Sequence, residues 1–332
     1  MIAEDALIAR YLAPLAGPGA LGLKDDAALI VPPQGKDLVL TKDALVAGVH
    51  FFPDDPPASI ARKALRVNLS DLAAKGATPA GFLMALALPA DLDESWIAAF
   101  AAGLGEDARA YACPLLGGDT VRAPGGLSIS ITALGWCDSG KMVRRTSGRA
   151  GQTLLVSGSI GDAALGLRLR LEPDAPWARA LPGPLRAHLA DRYLHPYPRN
   201  ALAGAITAHA AAAMDVSDGL LGDAVKLAAA CGIKGLHPRI LLDRVPLSPA
   251  ARAALALAPD LLQTIMAGGD DYEVLMAADP DTVPALLAAC AAAGCEASMI
   301  GELALAEDPA FVRADGSAVP FSSLSFQHDW TA

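Results

Sequence analysis

Residues 138–152, DSGKMVRRTSGRAGQ, restrict the fold more than any other stretch. They are polar, basic and glycine-containing, and they separate two halves that each mix strand-like and helix-like patterns. Two domains of mixed α/β (α+β) class are therefore expected, over 1–138 and 149–332. With 332 residues, the chain is long enough for each half to bury its own core.

In the first half the pattern predicts a helix over 4–15 and a strand over 27–31. A turn at Pro32, Pro33, Gln34 and Gly35 then leads to a strand over 37–41. A helix over 59–75 follows with Ser59 as its N-cap, then a strand over 82–88 and a helix over 95–111. The run over 127–134 alternates cleanly and reads as a half-buried strand. In the second half a strand over 153–157, a glycine turn over 158–161 and a helix from Asp162 precede helices over 201–213, 218–230 and 283–293.

Composition removes several classes of protein. Mean hydropathy is positive at +0.36, yet uncharged runs stop at about fifteen residues, whereas a bilayer span takes ~20. No basic-then-apolar leader opens the chain, so a soluble protein with no membrane partner is expected. Five cysteines without a Cys-x-x-Cys pair argue against a disulfide framework or structural zinc and fit a reducing cytoplasm. A net charge of −10 argues against a nucleic-acid partner, although an acidic protein still binds phosphates where divalent metals stand between the two sets of negative charge.

Gly135, Gly140 and Lys141 match most of a Walker A loop, but Met142 has no hydroxyl for magnesium and no helix pattern follows. A plain turn is expected there. Aspartates are more informative. Asp25 and Asp26 precede the first expected strand, Asp43 follows the second, and Asp71 lies on the helix with Asn68 and Ser70. Asp119 sits in Gly117-Gly118-Asp119-Thr120, read as a turn; Asp215 and Asp218 flank Val216 and Ser217; Asp270 and Asp271 follow Gly268 and Gly269. Singly, each fits a local role in a cap or turn, Asp218 most plainly as a helix N-cap. Asp54 and Asp55, in a proline loop, are expected to be solvated. Repetition beside glycine at strand ends is where open α/β sheets place ligands, and oxygen-only clusters suit Mg²⁺. His50 stands alone, and no Gly-x-Ser-x-Gly elbow or His-x-x-x-His pair is present. The glycine turn over 158–161 and the basic residues Arg144, Arg145 and Arg149 offer weak phosphate-binding signals.

In order, LKDDAALI, LTKDALVAGVHF, KALRVNLSDLAAKGATP, LLGGDTVR, VRRTSGRAG with VSGSIGDAALGL, MDVSDGLLGD and AGGDDYEVL are spread from residue 24 to 275 and so span nearly the whole chain. They resemble the thiamine-monophosphate kinase family, whose fold is shared with aminoimidazole ribonucleotide synthetase; SFQHDW adds a weaker match near the C-terminus. The resemblance implies an N-terminal domain that binds ATP and magnesium and dimerises through a β-barrel. It implies a C-terminal α/β domain completing the nucleotide and substrate site, and direct in-line transfer from ATP to thiamine monophosphate. Carried over by position, Asp26, Thr41, Asp43, Asp71, Asp119, Asp215 and Asp218 look like ligands of several magnesium ions. Gly118, Asp119, Arg145 and Ser217 match nucleotide positions, and His50, Asp270 and Phe326 match substrate positions. Asp71, Asp119 and Arg145 then carry catalysis.

Three residues depart from the family pattern. Lys24 replaces a glycine, Asp270 replaces a glutamate, and Lys42 stands where a Thr or Ser ligand is usual. The Lys42 ammonium is expected to replace the charge of one magnesium. The rival readings are the cyclo-ligase acting on formylglycinamidine ribonucleotide and a non-catalytic thiamine-phosphate or nucleotide-binding module.

Overall fold

In a computed structural model, which describes residues 4–90 and 92–326, the chain forms two compact units. One takes in Met1–Leu72 and Ala77–Met142, the other Ala73–Gly76 and Val143–Ala332.

The first unit opens with helix α1 (Glu4–Leu7), which runs on as a π-helical turn over Ile8–Leu12 and a 3-10 turn over Ala13–Leu15. Pro14 lacks the amide that would continue an α-ladder, so the helix expected over 4–15 changes type along its length. Strands β1 (Lys36–Val46), β2 (Thr78–Leu88), β3 (Leu115–Arg122) and β4 (Ser128–Asp138) form one sheet in the order β1-β4-β2-β3. β4 is antiparallel to both neighbours, and β3 runs parallel to β2 at the edge. Phe82, Met84 and Leu86 on β2 and Ile129, Ile131 and Ala133 on β4 alternate along their strands and are fully or almost fully buried. They face helices α2 (Pro57–Ala74) and α3 (Glu94–Ala110). Close packing fixes that layer: a Cβ on Gly103 would meet the Ala58 carbonyl at 2.5 Å, and Arg66 clasps Asp107 with two hydrogen bonds of 2.6 and 2.9 Å. On the opposite face Leu38, Leu40, Leu83 and Val121 are 46%, 60%, 41% and 48% exposed.

Four local expectations are corrected in this unit. Ser59 does not cap α2; Pro57 takes the first turn, where its missing amide costs nothing, and Ser59 lies buried inside the helix. Asp55 is not solvated but buried, accepting the Phe52 amide at 2.9 Å. No strand forms over 27–31: Leu29 and Val31 are 64% and 78% exposed, and the Leu29 amide donates to Gly19. An apolar run becomes a strand only where an edge accepts its backbone groups. Gly117–Thr120, expected as a turn, instead lies within β3.

In the second unit a six-stranded sheet runs β10-β7-β9-β5-β8-β6. Its strands are β5 (Thr153–Ser157), β6 (Ala212–Val216), β7 (Leu236–Leu241), β8 (Glu273–Ala278), β9 (Ala297–Leu305) and β10 (Ala310–Val312). The helices are α4 (Asp162–Leu171), α5 (Pro176–Ala180), α6 (Gly183–Leu194), α7 (Ala203–His209), α8 (Leu220–Ala230), α9 (Pro249–Leu257), α10 (Leu261–Ala267) and α11 (Val283–Ala292). Leu154, Val156, Met214 and Leu275 pack in one core with Leu165, Leu189, Leu221 and Ile265, while Leu155, Ala213 and Met276 pack in another with Ile206 and Leu286. The central strands are thus covered on both faces, and every residue of β6 and β8 is buried. The helix expected over 201–213 is split, because alanine serves a helix and a two-sided buried strand equally well.

Candidate active site

On β1, alternation turns Val39, Thr41, Asp43 and Leu45 toward α2. Thr41 Oγ1 donates to Asp71 Oδ2, and the Asp43 amide donates to Asn68 Oδ1 at 3.0 Å. Asn68 and Asp71 stand three apart on α2, so they share one helix face, and Asn68 is anchored in turn by its bond to the Ala64 carbonyl. Three oxygen-bearing residues of the expected metal set therefore meet at one seam. Lys42, next along β1, points to the other face and donates to Ser130 Oγ at 2.7 Å. Its ammonium therefore lies on the face opposite Asp43 and Asp71, the face that carries Asp119.

Asp119 also belongs to the other face, for a definite reason. Phe82 pairs with Leu115 but Leu83 pairs with Gly117, so Leu116 is an extra residue in β3. A bulge of this kind reverses which face the following side chains occupy. Gly118 shares the row of Asp43, Ile131 and Met84, while Asp119 lies in the row of Ala85, Ser130 and Ala44. Gly118 itself admits no side chain: at φ +156° its Cβ would lie 1.8 Å from the Met84 carbonyl oxygen. Asp119 borders a cavity of about 630 Å³ that Asp25, Asp26, Gly117, Gly118 and Thr120 also line. The Asp26 amide donates to Asp25 Oδ1 at 2.8 Å, a local turn that holds both acids at the rim. Five acids of this unit are thus sorted into two groups, Asp43 with Asp71 and Asp25 and Asp26 with Asp119. His50 closes the turn after β1, where its Nδ1 accepts the Val46 amide at 3.0 Å.

In the second unit Asp215 ends β6 with Val216, and Ser217, Asp218 and Gly219 turn into α8. Asp218 does not cap that helix. The buried Asp223 carboxylate accepts the Ser217 and Asp218 amides at 3.1 and 3.0 Å instead, and Asp218 Oδ2 takes the Lys226 ammonium at 2.6 Å. An acid inside the first turn of α8 does what the sequence assigned to the residue before it. Burial raises the Asp223 carboxyl above its ordinary value, against the pull of Lys226.

Two further segments are stitched to this turn. The Asp270 amide donates to the Ser217 carbonyl and the Tyr272 amide to the Val216 carbonyl, both at 2.8 Å; the Phe326 amide donates to the Asp218 carbonyl at 2.9 Å. Asp270 and Tyr272 hold φ of +73° and +51°. Aspartate tolerates that region better than most side chains, so its place in Gly-Gly-Asp-Asp suits the local backbone. Ser217 with Asp218, Asp270 and Phe326, three points far apart in sequence, are thereby brought together, and Phe326 is 54% exposed. Gln327–Trp330 of the SFQHDW match lie outside the described residues. Arg145 is not brought to this turn: its carbonyl accepts Cys231 Sγ at 3.4 Å, at the opposite end of α8.

Sequence reasoning missed the groups beneath these loops. Glu273, fully buried at the start of β8, accepts from Ser157 Oγ and Arg199 Nε at 2.6 Å each and from Arg192 Nη2 at 3.4 Å. Burial works against the Arg199 charge, but the bonds and charge of Glu273 outweigh it and raise its pKa. Asp271 Oδ2 accepts the Gly161 amide at 2.8 Å, Oδ1 has no partner among the described residues, and burial pushes this carboxyl well above the ordinary range. The Gly158, Ile160 and Gly161 amides of the glycine turn are taken by Glu296, Pro246 and Asp271, which ties the turn into the fold. Burial pushes the Cys113 and Cys290 thiols up to about 12 and about 11, too high for nucleophiles near neutral pH.

Among the described residues no three His, Cys, Asp or Glu side chains stand close enough together to hold a metal ion. The candidate donors, Thr41 bonded to Asp71 with Asp43 on the same face of β1 and the acids at the Asp119 cavity, are all hard oxygens, which fits magnesium with phosphate oxygens and water completing its shell.

Two family descriptions match the chain: AIR synthase related protein, N-terminal domain, over residues 24–137, and AIR synthase related protein, C-terminal domain, over 149–311. The fold and site thus define a protein of the AIR synthase-related class. The thiamine-monophosphate kinase of Caulobacter vibrioides is 45% identical over 89% of this chain and 82% of its own length. The crystal structure of thiamine-monophosphate kinase from Stenotrophomonas maltophilia superposes with a TM-score of 0.81 at 38% identity, covering 95% of this chain and 96% of that one. AaThiL complexed with AMPPCP and TMP superposes with a TM-score of 0.76 at 30% identity, covering 91% and 90%. The chain belongs to the thiamine-monophosphate kinase family.

Proposed function

We propose that this protein transfers the γ-phosphate of ATP to thiamine monophosphate, giving thiamine diphosphate and ADP, with magnesium. The observation that carries this reading is the stitching of Asp218, Asp270 and Phe326 onto one turn by backbone hydrogen bonds. A carboxylate proposed for metal thereby stands beside a carboxylate and an exposed aromatic ring suited to a cationic heteroaromatic acceptor.

The acceptor is a phosphate monoester, already anionic near neutral pH, so no strong general base is required. The obstacle is repulsion: like unit charges ~4 Å apart repel by ~1 kcal/mol in water and ~4 kcal/mol at an effective dielectric near 20. Thr41, Asp43 and Asp71 in one group, Asp26 and Asp119 in a second, and Asp215 and Asp218 in a third would hold magnesium, which supplies the neutralising charge. Gly118, Asp119, Ser217 and Arg145 would contact the nucleotide. His50, Asp270 and Phe326 orient the acceptor. Residues 1–138 thus serve ATP and magnesium binding, and residues 149–332 complete the nucleotide and acceptor contacts.

The reading includes a homodimer in which a second copy covers the sheet face bearing Leu38, Leu40, Leu83 and Val121 and the strands close into a barrel. Sedimentation velocity is expected to give twice the chain mass; a monomer at micromolar concentration would exclude it. The reading places the enzyme in the cytoplasm. Among the described residues no helix is long and apolar enough to cross a membrane.

The deciding assay is ADP release with ATP and Mg²⁺, comparing thiamine monophosphate, thiamine and formylglycinamidine ribonucleotide. Release is expected with thiamine monophosphate and to be at least tenfold slower with the others. Preference for the ribonucleotide points to the cyclo-ligase reaction, and binding of thiamine monophosphate without release points to a non-catalytic module.

A further inference from the structure

Lys226 lies two turns into α8 and joins two acids. Its ammonium donates to Asp218 Oδ2 at 2.6 Å and to Asp223 Oδ1 at 2.9 Å. The two acids differ in setting: the Asp223 side chain is 1% exposed and already engaged by two amides, whereas the Asp218 side chain is 46% exposed. The Asp218 backbone is fixed without Lys226, through its amide on Asp223 and its carbonyl on the Phe326 amide. Lys226 thus acts directly on the half-exposed Asp218 carboxylate, while its second bond goes to the buried Asp223 that holds the amides of the turn.

We propose that Lys226 is a positioning residue, an internal cation that holds the Asp218 carboxylate until a divalent ion takes its place. This rests on the reading above that Asp218 is a metal ligand. A carboxylate oxygen bonded to an ammonium at 2.6 Å must share or exchange that partner when an ion arrives. The ammonium then stands near a second positive charge and opposes it. The turn keeps its acid ordered in the empty protein, and its affinity for the ion is lowered in consequence.

The test is Mn²⁺ binding to the full chain without nucleotide, followed by electron paramagnetic resonance of the free ion. Lys226→Gln keeps a donor for the buried Asp223 and removes the charge. It is expected to tighten Mn²⁺ binding on the order of tenfold, a figure reduced for solvent screening at this half-exposed site. Lys226→Arg, which keeps the charge, is expected to stay within about twofold of wild type. In an Asp218→Asn background Lys226→Gln is expected to change nothing, because the shared carboxylate is gone. Unchanged or weaker Mn²⁺ binding in folded Lys226→Gln, with Asp218→Asn still weakening it, overturns the role of Lys226 alone. Wild-type binding in Asp218→Asn overturns it together with the assignment of Asp218. Circular dichroism confirms that each variant is folded.

Discussion

Asp71→Asn is expected to lower kcat by about three orders of magnitude, about 4 kcal/mol of transition-state stabilisation, while the protein stays folded. The substitution keeps shape and an oxygen, so Thr41 Oγ1 still has an acceptor on α2 and the seam with β1 survives. What is lost is the negative charge that would hold a cation between two anionic phosphates. Because Asp71 is only half-buried, its carboxylate contributes little to stability, and the melting temperature should move by no more than a few degrees. Steady-state ADP release with circular dichroism checks both halves of the claim. A kcat within a factor of ten of wild type would falsify the assignment.

Glu273→Gln should be the most damaging single change to the second unit's stability. The carboxylate is fully buried and answers two guanidiniums, Arg199 and Arg192, whose side chains are 16% and 12% exposed. Removing one partner of a buried ion pair typically costs about 3–5 kcal/mol, because the remaining charge has lost its compensation without regaining water. Gln preserves the volume, so the loss reports charge and not a cavity. Urea unfolding of the purified variant measures it; a loss below about 1 kcal/mol would show that Ser157 and local solvent carry the arginines instead. Since Asp270–Tyr272 lead directly into Glu273, the KM for thiamine monophosphate is expected to rise as well, by several-fold.

What could be read beforehand divides along a physical line. Strong local patterns were legible: the alternation over 127–134 became β4 (Ser128–Asp138), and the runs over 59–75 and 283–293 became α2 and α11 within a few residues. The two mixed α/β units were legible as well, because each half carries its own strands and helices. Readings that needed a partner failed. Residues 27–31 have strand-like composition but no paired edge, and residues 212–216 look helical until burial on both faces is known. Asp218 satisfied every local rule for an N-cap, yet a better-placed acid five residues on, Asp223, took the amides. The candidate site residues were found by resemblance in ordered segments. Their grouping was not, because it depends on a bulge and on backbone bonds such as Phe326 to Asp218 that no local pattern announces. Glu273 was missed because a glutamate two residues after Asp271 looks like surface until its two arginines are seen.

The extra residue at Leu116 also sets a rule about length. A strand behaves as a two-phase clock, and Leu116 advances the phase of everything after it in β3 by half a cycle. Deleting Leu116 itself would remove the bulge and restart plain alternation at Leu115, leaving Gly117 opposite Leu83 and Asp119 and Val121 on their present face. Inserting one residue between Gly117 and Asp119 would instead carry Asp119 and Val121 to the helix-covered side and bring Thr120 out. Beyond the bulge, the count of residues decides which side of the sheet carries the acid.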